Sequence, residues 1–234
     1  MSSKRTSRPR AAKTKSAPAA PKASSAVDER PSLWIIAGAN GSGKTTAYRE
    51  ARLEDPLGSV WIINPDTLSA RIAATEGLSL GDANLKAVQR IEQWLETSID
   101  AHQTVGVETV LSTDKYRRLV LKAKQRGFRV NLVYVVLDSV DLNIARVAAR
   151  VAKGGHDVPE HKIRERRVRS FQQLSWFLAN SDRALIYDNS GATPSLLFAF
   201  DRDTISVHGR LFPELRTAVA EAFPDLWEAL DDAV

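Results

Sequence analysis

The 234 residues contain no cysteine. Disulfides, thiolate metal sites and a cysteine nucleophile are thereby excluded. Long hydrophobic runs are missing as well. No apolar stretch approaches the ~20 residues that cross a bilayer, and the N-terminus lacks the apolar core of a signal peptide. A soluble, cytoplasmic protein without a membrane partner is the expectation. There is no visible internal repeat, and no Asn-Lys-x-Asp motif, which counts against a guanine-nucleotide switch. Residues 1–30 lack nearly everything that builds a core: after Met1 their only sizeable aliphatic side chain is Val27.

That segment also carries the charge imbalance. Lys4, Arg5, Arg8, Arg10, Lys13, Lys15, Lys22 and Arg30 stand against Asp28 and Glu29, a net of +6, whereas the other 204 residues hold 25 basic and 26 acidic side chains. The composition predicts a disordered, Ser/Ala/Pro-rich basic tail over 1–30 and a nearly neutral domain over 31–234. The tail reads as a loose tether for nucleic acid or an anionic surface, as an organelle transit peptide, or simply as a solubilising extension.

The domain has a 43 % hydrophobic chain to draw on. Its apolar run Leu33-Trp34-Ile35-Ile36-Ala37 leads into Gly38-Ala39-Asn40-Gly41-Ser42-Gly43-Lys44-Thr45 and then Thr46-Ala47-Tyr48-Arg49. Strand, glycine loop of the form G-x-x-x-x-G-K-[ST], helix is the order in which this motif binds nucleotide phosphates. Glycines let successive backbone N–H groups curl around the phosphates, and the helix N-terminus adds its positive end. Lys44 is placed to reach the β- and γ-phosphates, and the Thr45 hydroxyl to ligate Mg²⁺.

Further strand-like runs occur at 60–64, 104–108, 130–137 and 184–187, and helical stretches at about 44–54, 66–75, 82–102, 114–126, 139–152 and 159–179. Alternating β and α elements with short apolar strands predict an α/β fold of the P-loop NTPase type, a mostly parallel sheet with helices on both faces. Runs at 196–200 and 204–207, around Asp201-Arg202-Asp203, predict a hairpin added at a sheet edge. A last helix is expected at about 213–231.

In such sheets ligands sit beyond the carboxyl ends of the strands. There the sequence places Asn64-Pro65-Asp66, Glu108-Thr109 with Ser112-Thr113, Leu137-Asp138-Ser139 and Asp188-Asn189-Ser190. Asp66 has two readings, general base toward a substrate hydroxyl or N-cap of a helix starting at Thr67. Glu108 could bind substrate hydroxyls, hold Mg²⁺ through water, or merely end a strand. Asp138 is either a Walker-B-like acid or a cap. Between 146 and 170, Arg146, Arg150, Lys153, His156, Arg164, Arg166, Arg167 and Arg169 surround Gly154-Gly155 and Pro159. They form either an arginine-rich lid that closes on the transferring phosphate or a solvated basic face paired with Glu160 and Glu165.

Taken in order, Gly38 to Thr46, Asn64-Pro65-Asp66, Glu108-Thr109, Arg146 to Val151, Gly154-Gly155-His156-Asp157-Val158-Pro159 and Asp188-Asn189-Ser190 resemble the zeta toxin family of P-loop kinases, above all its short bacterial members. The resemblance runs from about Trp34 to Ser190. It implies a nucleotide-kinase-like fold and transfer of the ATP γ-phosphate, with Mg²⁺, to a sugar hydroxyl of UDP-N-acetylglucosamine or a similar sugar nucleotide. By position it implies Gly38 to Thr46 as the ATP site, Lys44, Asp66, Arg150 and Arg166 as catalytic, Thr45 on the metal, and Glu108 with Thr109 on the substrate. Arg167 stands where many relatives of this type carry an aromatic residue. An antitoxin protein joins the candidate partners. The alternatives are a kinase of another small hydroxyl acceptor and an ATP-binding regulator without transfer.

Because the tail's composition forbids a packed core, deleting residues 1–30 is expected to leave the melting temperature and the kinase activity essentially unchanged. Any binding to DNA, RNA or anionic vesicles should disappear with it, and in the full chain should weaken steeply as salt is raised. A drop of several degrees in melting temperature on deletion would count against this reading.

Overall fold

Apart from Asn131, the run Val130 to Leu137 is apolar without interruption, the pattern of a strand covered on both faces. In the computed structural model, which describes residues 30–50, 60–225 and 227, this run forms a strand as far as Val136 and is buried throughout. In chain order the described elements are β1 (Ser32–Ala37), α1 (Lys44–Glu50), β2 (Ile62–Ile63), α2 (Pro65–Glu76), α3 (Leu80–Asp100), β3 (Val105–Thr109), α4 (Arg117–Gln125), β4 (Arg129–Val136), α5 (Val140–Val151), α6 (Glu160–Ala179), β5 (Arg183–Asp188), β6 (Ser195–Asp201), β7 (Thr204–Val207) and α7 (Pro213–Ala222). The predicted tail lies outside the described residues except for Arg30, as do residues 51–54 of the first predicted helix.

The sheet has the order β2-β3-β1-β4-β5-β6-β7. Strands β2, β3, β1, β4 and β5 pair in parallel, and the predicted hairpin β6-β7 extends the β5 edge antiparallel. The fold is the expected α/β one, a sheet of mostly parallel strands. From β1 the chain runs out to β2 at one edge, returns through β3, and crosses β1 to reach β4 and β5 on the other side, so the switch point of the sheet lies at the end of β1.

The period of two along β1 divides the core. Leu33, Ile35 and Ala37 enter the larger cluster with Ile91, Leu95 and Ile99 of α3, while Trp34 and Ile36 face a smaller one with Ala47 of α1. A polar tie crosses the larger side. Tyr134 shares a 2.9 Å hydrogen bond with the Ser170 hydroxyl, which donates to the Val110 carbonyl at 2.8 Å. Ser170 thus spends its proton on Val110, leaving Tyr134 as the donor. Burial pushes the Tyr134 hydroxyl up to about 12, which keeps that proton in place. The tie fastens α6 to β4 and to the loop after β3.

Three boundaries differ from the sequence expectation. Strand β2 is only two residues long. Helix α2 starts at Pro65, capped by Asn64, whose side chain accepts from the N–H groups of Asp66 and Thr67. The cap reading of Asp66 is therefore corrected, since the residue before Pro65 is the one with extended backbone free to cap. Helix α7 ends at Ala222, with Phe223 at φ −138° and ψ 60°. Pro224 follows and excludes helical geometry at the residue before it. Helical backbone resumes at residues 224, 225 and 227, and residues 228–231 of the predicted last helix lie outside the described residues.

Leu95 is fully buried at the α3 contact with the sheet. Leu95→Ala should destabilise the fold by ~2–5 kcal/mol, seen as a lower urea midpoint at unchanged slope. A loss below ~1 kcal/mol would mean that α3 is not a principal wall of the core.

Candidate active site

The loop that leaves β1 is tightly enclosed. Gly38 has φ 145° and Gly43 has φ 79°. A Cβ at Gly38 would run into the Val135 carbonyl oxygen of β4, and one at Gly43 into the Asn189 side-chain amide. These glycines meet both a backbone and a space requirement. Two buried asparagines hold the loop from behind: Asn143 Nδ2 donates to the Asn40 carbonyl at 2.7 Å, and Asn189 Nδ2 to the Ser42 carbonyl at 2.9 Å.

Lys44 opens α1 and folds back over the loop, donating to the carbonyls of Gly38 at 2.9 Å and Ala39 at 3.4 Å. Its ammonium lies 3.8 Å from Glu108 Oε1, and Glu108 Oε2 accepts a 3.0 Å hydrogen bond from the Thr45 hydroxyl. Burial pushes the Lys44 pKa below its usual value, Glu108 and Asp66 oppose that shift, and Arg150 adds to it. A nucleotide phosphate would supply the negative charge that this lysine otherwise draws from Glu108 and Asp66.

Two cavities open from this point. One, of about 450 Å³, is lined by Gly41, Gly43, Lys44, Thr45, Thr46, Glu108, Arg146, Arg150 and Asn189 among others. The second, of about 470 Å³, also contains Gly41, Lys44, Thr45, Glu108 and Arg150, and adds Asp66, Thr109, Lys115, Tyr116 and Arg166. Gly41, Lys44, Thr45, Glu108 and Arg150 are thus shared walls. Ala39 is buried in the loop's backing and lines neither cavity. A further cavity of about 650 Å³ lies between α6 and α7 around Val168, Phe171 and Ala218. It contains no residue of the phosphate loop and is not where the chemistry sits.

The strand ends distribute the remaining groups. Asp66 is exposed at the second position of α2, on the wall of the second cavity. Asp138 lines neither cavity and does not cap α5, because Ser139 does so by accepting from the Leu142 N–H. Both readings of Asp138 are corrected: one residue beyond the apolar run of β4, it turns to solvent. The basic cluster splits. Arg146, Arg150 and Arg166 face the cavities. Arg164 pairs with Glu160 and Asp141, and Arg169 with Glu165, in the solvated manner of the plainer alternative. Arg150 is steadied by a 2.8 Å hydrogen bond to the His156 carbonyl across the turn that contains Gly154, φ 84°.

Sequence reasoning overlooked Asn143, Lys115 and Tyr116. Asn143 carried a readable signal, a polar residue on the apolar stripe Val140, Asn143, Val147, Val151. Lys115 is partly buried, and burial lowers its pKa, against the pull of Glu92. Its ammonium stacks over the Tyr116 ring at 4.5 Å, and the buried Tyr116 hydroxyl has no hydrogen-bond partner among the described residues. For Mg²⁺, the donor set fits a cation that keeps waters and phosphate oxygens and takes few protein ligands. The Thr45 hydroxyl stands beside a carboxylate, and the described residues contain no cluster of three or more His, Cys, Asp or Glu that could hold a metal.

Comparison with known proteins bears on this site. The family model described as Zeta toxin matches residues 18–205. A Haemophilus influenzae protein described as uncharacterized is 30 % identical over 149 residues, which are 58 % of this chain and 98 % of that one. Among solved structures, the PezAT chromosomal toxin-antitoxin system of Streptococcus pneumoniae matches with a TM-score of 0.59 at 17 % identity, over 87 % of this chain and 88 % of that one. An AvrRxo1-ORF1:-ORF2 structure with ATP matches with a TM-score of 0.60 at 16 % identity, over 84 % of this chain. This chain spans only 65 % of that one. At such identities the likeness is one of fold. No helix among the described residues is long and apolar enough to cross a membrane.

Lys44 points to the cavities rather than to the apolar core, so Lys44→Ala should leave the fold intact. Loss of its charge-assisted contact to the transferring phosphate is expected to slow turnover by at least ~10². Near-normal turnover would remove Lys44 from the site.

Proposed function

The chain belongs to the zeta toxin family, and from that premise we propose that it is an ATP-dependent kinase that phosphorylates a sugar hydroxyl of a UDP-activated amino sugar such as UDP-N-acetylglucosamine. The observation that carries the kinase reading is the meeting of two cavities at Lys44, with an arginine in the shared wall and a carboxylate on the far side. One cavity suits a nucleotide whose phosphates lie on the loop from Gly38 to Thr46. The other suits an acceptor.

In this reading the γ-phosphate lies where the cavities join. Lys44 and the backbone N–H groups hold it, and Thr45 would hold Mg²⁺, which supplies charge neutralisation between the β- and γ-phosphates. The acceptor hydroxyl enters from the second cavity between Glu108, Thr109 and Asp66. Asp66 takes its proton as the oxygen attacks phosphorus, and the bond to the ADP oxygen breaks in line. Arg150 and Arg166 face the charge that spreads over the equatorial oxygens. Glu108, now bonded to Thr45, is placed to exchange that bond for an acceptor hydroxyl. Support for an anionic acceptor comes from Lys115, a cation in the acceptor cavity with no hydrogen-bonded or ion-paired partner among the described residues. The PezAT structure is of a toxin-antitoxin system, and an antitoxin is the corresponding partner proposed for this chain.

Asp66→Asn tests the base. Asn64 carries the cap, so the substitution should move stability by no more than the ~0.3–1 kcal/mol of a carboxylate in a first helical turn. Turnover should fall ~10²–10⁴-fold with the KM for ATP little changed, measured with UDP-N-acetylglucosamine and the product identified by mass. Arg150→Ala and Arg166→Ala should likewise lower kcat more than they raise the KM for ATP. Full activity of Asp66→Asn would remove it from the mechanism, and phosphorylation of a different hydroxyl compound in its place would revise the acceptor alone.

A further inference from the structure

Arg167 is buried, charged, and lines neither of the two cavities. Its guanidinium lies over the Phe171 ring, 5.1 Å from the centroid, and Nη1 donates to Asn143 Oδ1 at 3.1 Å. Asn143, itself fully buried, passes the contact on by donating to the Asn40 carbonyl at 2.7 Å. The neighbour Arg166 places Nη1 3.5 Å from Asn40 Oδ1. Two consecutive residues of α6 therefore converge on one residue of the phosphate loop, one directly and one through an intermediary.

The chemistry fixes the direction of each bond. A guanidinium only donates and a backbone carbonyl only accepts, so an asparagine amide between them has one orientation that satisfies both. Arg167 takes Oδ1, which turns Nδ2 to the carbonyl. In a trans peptide the C=O of one residue and the N–H of the next point in opposite directions. Drawing the Asn40 carbonyl back toward α5 thus turns the Gly41 N–H the other way, toward the junction of the two cavities that Gly41 lines. Asn189 does the same for the Gly43 N–H through the Ser42 carbonyl. Among the described residues no backbone carbonyl accepts from the Gly41 or Gly43 N–H. The approach is close: a Cβ at Gly41 would collide with the Asn143 carbonyl oxygen.

We infer that Asn143 and Arg167 are positioning residues for the nucleotide's diphosphate: Arg167 sets the Asn143 amide, and that amide aims a loop N–H at the phosphates. The inference rests on the phosphate-binding half of the proposed function and couples it to α6, so the loop's readiness for anions depends on where α6 sits.

The test is ADP binding by the full chain in the presence of Mg²⁺, by calorimetry, with unliganded melting temperature read in parallel. Arg167→Met and Asn143→Asp should each raise the Kd for ADP about tenfold or more, the size of one lost hydrogen bond to the ligand's cradle. The double variant Arg167→Met with Asn143→Asp should lose no more than the worse single one, as for residues acting in one line. Arg167→Lys, which keeps a donor toward Oδ1, should recover most of the loss. A merely structural role would lower the melting temperature and leave the Kd of the folded protein within twofold, and that result overturns the inference. Additive losses overturn it too. If Arg167→Met does not fold, Asn143→Asp decides, since it is isosteric and keeps its pairing with Arg167. Should the wild-type chain not bind ADP, the phosphate-site reading falls with this one, whereas normal ADP binding in Asn143→Asp sinks this one alone.

Discussion

The parallel ladder between β1 and β3 sets the site. Its register puts Ile36 beside Glu108 and Ala37 beside Thr109, so the last residues of β3 emerge next to the first glycine of the phosphate loop. From that placement follow the contacts of Glu108 with Lys44 and Thr45 and the shared wall of the two cavities. A shift of one residue would exchange the faces of β3, turning Glu108 away from Lys44 and leaving a buried ammonium without its nearest carboxylate. The apolar side chains of β1, which sort strictly between two core clusters, are what prevent that slip.

Burial of charge is the second constraint. Lys44, Glu108 and Arg167 are all nearly inaccessible to water, and an isolated charge in such surroundings is expensive. Each has a compensating partner: Lys44 has two carbonyls and a carboxylate, Glu108 has the Lys44 and Thr45 pair, and Arg167 has Asn143 and the face of Phe171. The polar interior is thereby organised around the loop, and it meets the groove between α6 and α7 at Arg167.

Most of the architecture was legible because it depends on local periodicity. Alternating and continuous apolar runs located the strands, the glycine loop located the site, and Asp201-Arg202-Asp203 located the edge hairpin. The errors came from places where neighbouring residues compete for one role. Asn64 and Asp66 can both cap a helix, and Pro65 decides for Asn64 by fixing where the helix begins. Asp138 and Ser139 compete likewise, and the serine wins. Pro224 was read through as helix although its ring prohibits one at Phe223. Within the basic cluster, composition could not separate the three fates of its arginines. The rotation of about 100° per residue along α6 does so, turning Arg167 inward with Ile163, Ser170, Phe171 and Leu174 and leaving Arg164 and Arg169 in water. The cradle of side-chain amides was invisible to motif reasoning, since its members are 103 and 147 residues from the loop they hold.

The short ends of the sheet bear on how the protein behaves in company. Strand β2 forms one edge with two residues, and β7 forms the other with four. An edge strand is a template for pairing with other chains in proportion to its run of free N–H and C=O groups. The long, apolar strand β4, which would aggregate most readily if bared, sits at the centre of the sheet between β1 and β5. This order keeps the sticky backbone inside and leaves little edge backbone among the described residues for another strand to pair with. It limits strand-to-strand pairing at the described edges as long as the sheet remains closed over its middle.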